Sequence, residues 1–333
     1  MVTPLPVAVR AAIDSPVHVS TRAPSWLEGE LRDAQLWSPS LGVTKRYRVW
    51  LPPGYARESA TRYPVAFYLH GLNGAETDWT RQGALAATLD SMTAAGLPPM
   101  IVVMPDGDDG WYVTSNVLVD VAACRRAERK EPAESYCVPW WRYDEYIARD
   151  LVAHVDSTYR TRADRAHRAI AGLSMGGFGA VTLALRYPDV FAAAASHSGV
   201  LSPMYDGPSP FVAPPRYVAT PERVRERWTR FWPSMGIAFG RDTVAWWARD
   251  PARLARRARD ARVAGGAMPA LWFDAGTDDA LVIDENRAFD WELTQLGIAH
   301  EWHARPGNHD WTYWRTSAPY SLEWIGRQLS PGR

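Results

Sequence analysis

Hydrophobic positions in the first part of the chain predict a β-hairpin. Residues 29–37 and 43–51 both have strand-like patterns, and in the second run Tyr47, Val49 and Leu51 occupy alternate positions, as in a half-buried strand. The short segment between the two runs contains proline and glycine, which favour a tight turn. We therefore expect two antiparallel strands at the start of the folded region.

Short apolar runs alternate with helical patterns along most of the remaining chain. Strands are predicted at residues 64–69, 100–104, 168–173, 191–198, 270–275 and 300–305. Helices are predicted at residues 82–95, from Tyr143 onward, and at 178–186 and 285–296. This order is typical of an α/β fold with a mainly parallel central sheet, helices on both faces and, here, an N-terminal antiparallel hairpin.

Two long segments, at about 108–142 and 199–265, interrupt this pattern. Segments of this length without regular structure are usually functional when they lie inside a compact domain. The second contains helix-start patterns at Thr220-Pro221 and Asp250-Pro251. We expect both segments to form loop and helical insertions over the site of a single domain that spans residues 29–329.

Composition and charge narrow the choice of partners. The chain has 333 residues with 37 basic and 37 acidic side chains, so it lacks the positive excess of a nucleic-acid-binding protein. We expect a small-molecule partner, and the sequence indicates no oligomeric state. No apolar run approaches the roughly 18 residues of a membrane span, which predicts a soluble chain. Residues 1–28 are interpreted as a tail or strap, without a recognisable secretory signal.

The stretch Gly172-Leu173-Ser174-Met175-Gly176 joins a predicted strand to a predicted helix. This is the G-x-S-x-G nucleophile elbow in its strand-turn-helix context. Glycines are required on both sides of the serine because side chains there would collide with neighbouring backbone. Ser174 is therefore a candidate nucleophile, and the N–H of Met175 a candidate oxyanion donor. A glycine-rich turn with an incidental serine is the alternative.

Candidate partners of Ser174 follow later in the chain. Asp274, Asp278 and Asp279 lie at the end of a late strand and in the loop after it, and His309 follows the last strand. The order serine, aspartate, histidine is that of α/β hydrolases. We predict that His309 is the general base and that Asp279 orients it, with Asp278 as the second choice.

The remaining histidines are assigned structural or supporting roles. His300 and His303 lie three residues apart on a predicted strand and face opposite sides, so we expect neither a metal site nor a cofactor. His154 belongs to an apolar helical stripe. His70 begins a glycine-flanked turn in which the N–H of Leu72 is the second candidate oxyanion donor, although an ordinary strand-to-helix loop has the same pattern.

Five side chains in these loops and in the first insertion are expected to contact the substrate. They are His70, Asn73, Trp140, Trp141 and Trp311. The chain contains 17 tryptophans, more than a core usually needs, and some of these rings are expected to line a cleft.

Two cysteines, Cys124 and Cys137, lie in the first insertion and are the only ones in the chain. A local disulfide is predicted, with two unlinked thiols as the alternative. The disulfide favours a secreted or extracytoplasmic location over a cytoplasmic one.

Six short motifs together resemble one family. They are Leu51-Pro52-Pro53-Gly54-Tyr55, His70-Gly71-Leu72-Asn73-Gly74, Met104-Pro105-Asp106-Gly107, Gly172-Leu173-Ser174-Met175-Gly176-Gly177, Gly276-Thr277-Asp278-Asp279 and Gly307-Asn308-His309-Asp310-Trp311. The set resembles the esterase family of α/β hydrolases, which includes esterase D (S-formylglutathione hydrolase), feruloyl esterases, siderophore esterases and the mycobacterial mycolyltransferases.

The resemblance covers about residues 30–327 and implies an α/β-hydrolase fold. It implies that Ser174 is the nucleophile, Asp279 the acid and His309 the base, with Leu72 and Met175 at the oxyanion positions. The two cysteines also fall where the mycolyltransferases carry a disulfide, although the loop between them is longer here.

The residues and the resemblance together predict a serine esterase. It would hydrolyse a small or medium acyl ester through an acyl-serine intermediate, without a cofactor. The nearest alternative is an acyltransferase that delivers the acyl group to a sugar or lipid hydroxyl, because an alcohol can release an acyl-enzyme as water does. A non-catalytic binding protein of the same fold is the third hypothesis.

Overall fold

The computed structural model describes residues 28–115, 120–126, 133–218, 220–240 and 243–330. Residues 1–27 of the predicted tail lie outside the described residues, as do parts of both predicted insertions.

Eight strands in the described residues form one sheet, in the order β1-β2-β4-β3-β5-β6-β7-β8. The strands are β1 (Glu30–Ser38), β2 (Val43–Leu51), β3 (Val65–Leu69), β4 (Ile101–Pro105), β5 (Arg168–Leu173), β6 (Ala193–His197), β7 (Ala270–Gly276) and β8 (His300–Arg305). The pairs β1–β2 and β2–β4 are antiparallel, and the other neighbours are parallel. The predicted hairpin and mainly parallel sheet are confirmed.

The central strands are apolar on both faces because helices cover both. In β3, Val65, Phe67 and Leu69 pack into the core on one side of the sheet. Ala66 and Tyr68 pack into the core on the other side. Side chains of a strand alternate between faces, so a continuous apolar run is required where both faces are buried.

Helices and helical turns connect and cover the strands. They are α1 (Asp78–Arg81), α2 (Leu85–Ala94), α3 (Val121–Arg126), α4 (Ala133–Tyr136), α5 (Tyr143–Glu145), a π-helical turn (Tyr146–Leu151), α6 (Val152–Thr158), a 3₁₀ turn (Arg165–His167), α7 (Met175–Arg186), α8 (Pro221–Arg227), a 3₁₀ turn (Thr229–Phe231), α9 (Trp232–Phe239), α10 (Thr243–Trp247), α11 (Pro251–Val263), α12 (Ile283–Gln295) and α13 (Trp311–Leu329). Residues of α7, α11 and α12 contribute to the core on one face, and those of α2 and α13 to the core on the other.

Three features differ from the sequence expectations. The helix predicted from residue 82 begins at Leu85, because Ala84 has a left-handed backbone (φ 52°) that separates α1 from α2. Helix α11 lies within the predicted second insertion, yet Leu254, Ala255 and Ala258 are buried in the core. Helix α13 was not predicted.

None of the helices in the described ranges has the length and apolar character needed to cross a membrane.

Candidate active site

The turn between β5 and α7 holds Ser174 in a strained backbone conformation. Its φ of 51° and ψ of −116° lie outside the regions that most side chains allow. A Cβ atom on Gly172 would lie 2.3 Å from the carbonyl oxygen of Gly176, and one on Gly176 would lie 2.4 Å from that of Leu69. Only glycine fits at either position, so these two residues permit the tight turn that presents the serine.

Three side chains from separate loops meet at this turn. The Oγ of Ser174 lies 2.9 Å from Nε2 of His309, and Nδ1 of His309 lies 2.8 Å from Oδ2 of Asp279. The Asp279 side chain is buried, and its Oδ1 accepts the backbone N–H groups of Leu281 and Val282 at 3.2 and 3.3 Å. With Nδ1 donating to Asp279, Nε2 is free to accept the serine proton, which is the arrangement that nucleophilic catalysis needs.

The neighbouring aspartates are placed differently. Asp278 is exposed, and its backbone N–H donates to the carbonyl of Gly307 at 3.0 Å. Asp274 is buried at the end of β7, where its Oδ1 lies 3.0 Å from Nδ1 of His197. Of the three aspartates considered from the sequence, the structure brings only Asp279 to His309.

A close approach of two loops fixes the position of His309. A Cβ atom on Gly276 would lie 2.1 Å from the carbonyl oxygen of Gly307, which itself has a φ of 142°. After His309, the carboxylate of Asp310 caps α13 by accepting the N–H of Tyr313 at 3.0 Å. The Trp314 ring packs edge-on against the His309 ring, with 5.1 Å between the ring centroids. The imidazole is thus held both by the loop that precedes it and by helix α13, which follows it.

The two candidate oxyanion donors, Met175 and Leu72, lie in the elements that follow β5 and β3. Met175 is the first residue of α7, and the first N–H groups of a helix have no partner within it. Leu72 lies in the turn after β3, where the N–H of Gly74 donates to the carbonyl of Gly71 at 3.1 Å. Leu72 lines the cavity that contains Ser174.

His70 lies behind this turn and is buried. The N–H of Gly107 donates to its Nε2 at 2.8 Å, so Nδ1 carries the proton and donates to the carbonyl of Gly71 at 2.7 Å. Because C=O and N–H point in opposite directions across a trans peptide, this bond turns the N–H of Leu72 away from His70. The structure thus places His70 in support of the turn, away from the cavity lining.

A buried charged cluster supports the loop that follows β4. Nζ of Lys45 lies 2.7 Å from carboxylate oxygens of both Asp106 and Asp108. Burial and the neighbouring Asp106 raise the pKa of Asp108 to about 7. Burial opposes ionisation of Asp106 as well, but the positive charge of Lys45 holds the pKa of Asp106 below its usual range. The cluster therefore favours a state in which only one of the two carboxyl groups is ionised, and it anchors the loop that follows β4.

Two adjoining cavities open at the carboxyl ends of the parallel strands. The first has a volume of about 560 Å³ and contains Ser174 and His309, with walls from Trp311 and Trp314. The second has a volume of about 660 Å³ and is lined in part by Trp141 and by the Cys124–Cys137 disulfide segment. Both volumes lie within the range of small-molecule sites. Four residues line both cavities: Leu72, Asn73, Arg230 and Phe231.

The expected substrate contacts are therefore only partly brought together. Asn73, Trp141 and Trp311 line one or both cavities, whereas His70 and Trp140 line neither. Trp140 is 56% exposed and packs beside the β1–β2 turn at Gly42. Its neighbour Trp141 is half-buried, lines the second cavity and packs edge-on against the Tyr143 ring at 5.2 Å.

Sequence reasoning missed several residues of the cavity walls. Trp314 could have been found, since it lies one helical turn after Trp311. Arg230 and Phe231 could not, because they belong to a helical insertion that contains many similar arginines and aromatic residues.

The predicted cysteine pair forms a disulfide, Cys124–Cys137, which joins α3 to the segment after α4. Within the residues that the structure describes, no cluster of His, Cys, Asp and Glu side chains is arranged to hold a metal ion. His300 bonds instead to the carbonyl of Ile298 and to Asp290, both at 2.8 Å.

A second serine, histidine and aspartate group lies inside the core. Nε2 of His197 lies 2.8 Å from Oγ of Ser321, and its Nδ1 lies 3.0 Å from Oδ1 of Asp274. All three side chains are buried. The Ser321 hydroxyl also donates to the carbonyl of Ala318 at 3.0 Å, and Asp274 also pairs with Arg305 at 3.0 Å. No sequence pattern had indicated this group.

Known proteins are similar to this chain over most of its length. Esterase Rv1288 of Mycobacterium tuberculosis (strain H37Rv) is 30% identical over 290 residues, which cover 83% of this chain and 56% of that protein. The chain thus spans little more than half the length of this curated relative.

Solved structures share the architecture at lower identity. A ferulic acid esterase superimposes with a TM-score of 0.67 at 23% identity and covers 91% of this chain and 99% of its own. An S-formylglutathione hydrolase from Agrobacterium tumefaciens gives a TM-score of 0.65 at 18% identity, with 91% and 97% covered. These likenesses confirm the predicted α/β-hydrolase fold. Residues 38–324 match the Esterase family, and the chain belongs to that family.

Proposed function

We propose that the protein hydrolyses a carboxylic ester through a covalent acyl-Ser174 intermediate. The observation that carries the proposal is the 2.9 Å contact between Ser174 and the Nε2 atom of His309, inside a cavity and on a strained elbow. Family membership and the similarity to Esterase Rv1288 support the same reaction.

In the acylation half, Ser174 Oγ attacks the ester carbonyl while its proton passes to Nε2 of His309. The negative charge that develops on the carbonyl oxygen is stabilised by the N–H groups of Met175 and Leu72. Asp279 stabilises the imidazolium, which then gives its proton to the departing alcohol as the C–O bond breaks.

In the deacylation half, His309 takes a proton from a water molecule that attacks the acyl-serine. The second tetrahedral adduct uses the same two N–H donors. When it collapses, the bond to Ser174 Oγ breaks, the imidazolium returns its proton to that oxygen, and the carboxylic acid product leaves. No cofactor takes part in either half.

The substrate class that fits best is an ester with a small or medium acyl group. The volume of about 560 Å³ around Ser174 accommodates such a group, and the rings of Trp311 and Trp314 offer apolar contact. One solved structure with the same fold is named as a ferulic acid esterase. An ester with an aromatic acyl group is therefore one member of the substrate class to test.

The proposal is tested by measuring hydrolysis of p-nitrophenyl esters of increasing acyl length, with feruloyl and acetylated-sugar esters alongside. A fluorophosphonate probe and peptide mapping then identify the labelled serine. Ester hydrolysis with a label on Ser174 is the expected result. Failure of the probe to label the folded protein would favour the non-catalytic hypothesis. Product analysis with a competing alcohol distinguishes hydrolysis from acyl transfer.

The protein is also proposed to act outside the cytoplasm. A disulfide between Cys124 and Cys137 persists where the surroundings are oxidising. Non-reducing peptide mapping of natively expressed protein tests the disulfide, and two freely alkylated thiols would refute the bridge and remove its support for this location.

A further inference from the structure

The loop after β4 reaches the turn that carries Leu72. Oδ1 of Asp109 accepts the backbone N–H of Asn73 at 2.7 Å, and Oδ2 accepts the hydroxyl of Tyr136 at 3.1 Å. Asp109 thus bridges the turn to the disulfide segment, since Tyr136 immediately precedes Cys137.

The bond from Asp109 complements the one from His70. In the turn Gly71–Gly74, the carbonyl of Gly71 faces His70, which sets the peptide group that contains the N–H of Leu72. Asn73 has a left-handed backbone with a φ of 59°, and its N–H belongs to the next peptide group. The Gly71–Leu72 and Leu72–Asn73 peptide groups meet at the α-carbon of Leu72. Both therefore have to be held if the N–H of Leu72 is to keep a fixed direction.

The loop that carries Asp109 is itself held in unusual backbone conformations. Asp108, Trp111 and Tyr112 have positive φ angles of 45°, 53° and 53°. Such conformations persist where surrounding contacts determine them, and they are frequent at functional sites. Here the contacts are the hydrogen bond from Nζ of Lys45 to Oδ1 of Asp108 at 2.7 Å and the one from the Tyr112 hydroxyl to the carbonyl of His70 at 3.1 Å. Asp109 is therefore presented from a rigid base.

We infer that Asp109 is a positioning residue. It holds the Leu72–Asn73 peptide group so that the N–H of Leu72 faces the oxyanion that forms during the reaction. The hydroxyl of Tyr136 ties this contact to the disulfide segment. The inference rests on the proposed function, because Leu72 is an oxyanion donor only if Ser174 is acylated. It explains why a disulfide-closed segment lies beside the site without contributing a reacting group.

The test compares the Asp109→Ala, Asp109→Asn and Tyr136→Phe variants for hydrolysis of p-nitrophenyl acetate. Removal of one oxyanion donor lowers kcat by about 100-fold to 1,000-fold, so its misplacement in Asp109→Ala is expected to lower kcat by about tenfold or more. KM should stay within about twofold, because ground-state binding is not lost. Asp109→Asn retains an oxygen acceptor and should recover kcat to within about threefold, and Tyr136→Phe should cost about twofold to threefold.

An inhibitor that forms a tetrahedral adduct distinguishes a positioning role of Asp109 from a general loss of structure. A trifluoromethyl ketone, which forms an oxyanion adduct on the serine, should inhibit Asp109→Ala more weakly by the same factor as the loss in kcat. The matched control is Glu134→Gln, which removes a carboxylate from the same disulfide segment at an exposed position that lines neither of the two cavities described above. It should leave both measurements unchanged.

The inference is wrong if Asp109→Ala keeps its kcat, if only KM changes, or if Asp109→Asn is as impaired as Asp109→Ala. These outcomes leave the proposed function intact as long as the wild type hydrolyses esters and is labelled at Ser174. If the wild type neither hydrolyses an ester of the panel nor reacts with the fluorophosphonate, the proposed function and this inference both fail.

Discussion

Two groups of serine, histidine and aspartate occur in this molecule, and their hydrogen-bond lengths are nearly the same. In the cavity group, His309 lies 2.9 Å from Ser174 and 2.8 Å from Asp279. In the core group, the corresponding distances from His197 are 2.8 Å to Ser321 and 3.0 Å to Asp274. Side-chain identity and distance therefore do not distinguish a reactive group from a structural one.

The surroundings of the two serines differ in three ways. Ser174 lines a cavity, lies on a strained turn and precedes the N-terminus of α7. Ser321 is buried in the middle of α13, and its hydroxyl donates to the carbonyl one turn earlier. A proton already committed to a carbonyl is not available to a base, and a buried oxygen cannot reach an ester. Access to a cavity and a position at a helix N-terminus make the difference.

The largest expected effect on kcat comes from replacing Ser174 or His309. Ser174→Ala should reduce kcat for ester hydrolysis by about 10,000-fold or more, and His309→Ala should match it, because nucleophile and base act as a unit. Ser321→Ala is the matched control and should keep kcat within about twofold. Retention of more than about a tenth of wild-type kcat in Ser174→Ala would remove Ser174 from the mechanism.

The acids give the next largest effect. Asp279→Asn should lower kcat by about 100-fold to 10,000-fold, since an amide cannot hold the required tautomer of His309. Asp278→Asn changes an exposed neighbour and should cost less than about threefold. Steady-state kinetics on both variants check the ranking, and the reverse order would transfer the role to Asp278.

Asp274 should matter for stability rather than for proton transfer. It is buried and pairs with both His197 and Arg305, so Asp274→Asn is expected to lower the free energy of unfolding by about 3 kcal/mol. Urea unfolding followed by tryptophan fluorescence measures this, with Asp278→Asn as the exposed control. A loss below about 0.5 kcal/mol would show that the core group is dispensable.

The smallest effect is expected for Ser321→Ala. Its hydroxyl contacts His197 and Tyr68, at 2.8 and 3.2 Å, so its loss should lower the free energy of unfolding by about 1 kcal/mol. The same urea experiment measures the change. A fluorophosphonate label on Ser321 in the folded protein would instead contradict its buried position.

Most of the sheet could be predicted from the sequence because burial in the folded protein requires a distinctive apolar pattern in the central strands. Strands such as β3 and β4 are buried on both faces and therefore appear as unbroken apolar runs. Helix α13 was missed because its polar and aromatic residues are mixed and Pro319 lies within it. A proline inside a pattern normally argues against a continuous helix.

For the candidate site, the sequence predicted the residues whose role depends on a local turn. Ser174 and Leu72 lie in glycine-containing motifs with a direct steric cause. The contribution of Arg230 depends on how an insertion folds over the sheet, and that of Asp109 on a contact between loops 36 residues apart. Periodicity and spacing do not record such contacts, so those residues became apparent only in three dimensions.

The outer strands of the sheet have a consequence for how copies of the protein behave at high concentration. Within the described residues, β1 and β8 end the sheet, and each offers unpaired backbone groups that could join a second sheet. Both carry exposed charges, among them Glu30 and Arg32 on one strand and Glu301 on the other. Charged side chains along an edge oppose sheet-to-sheet association because they would have to be desolvated or brought together. The exposed charges on β1 and β8 thus disfavour edge-to-edge association of copies of the protein.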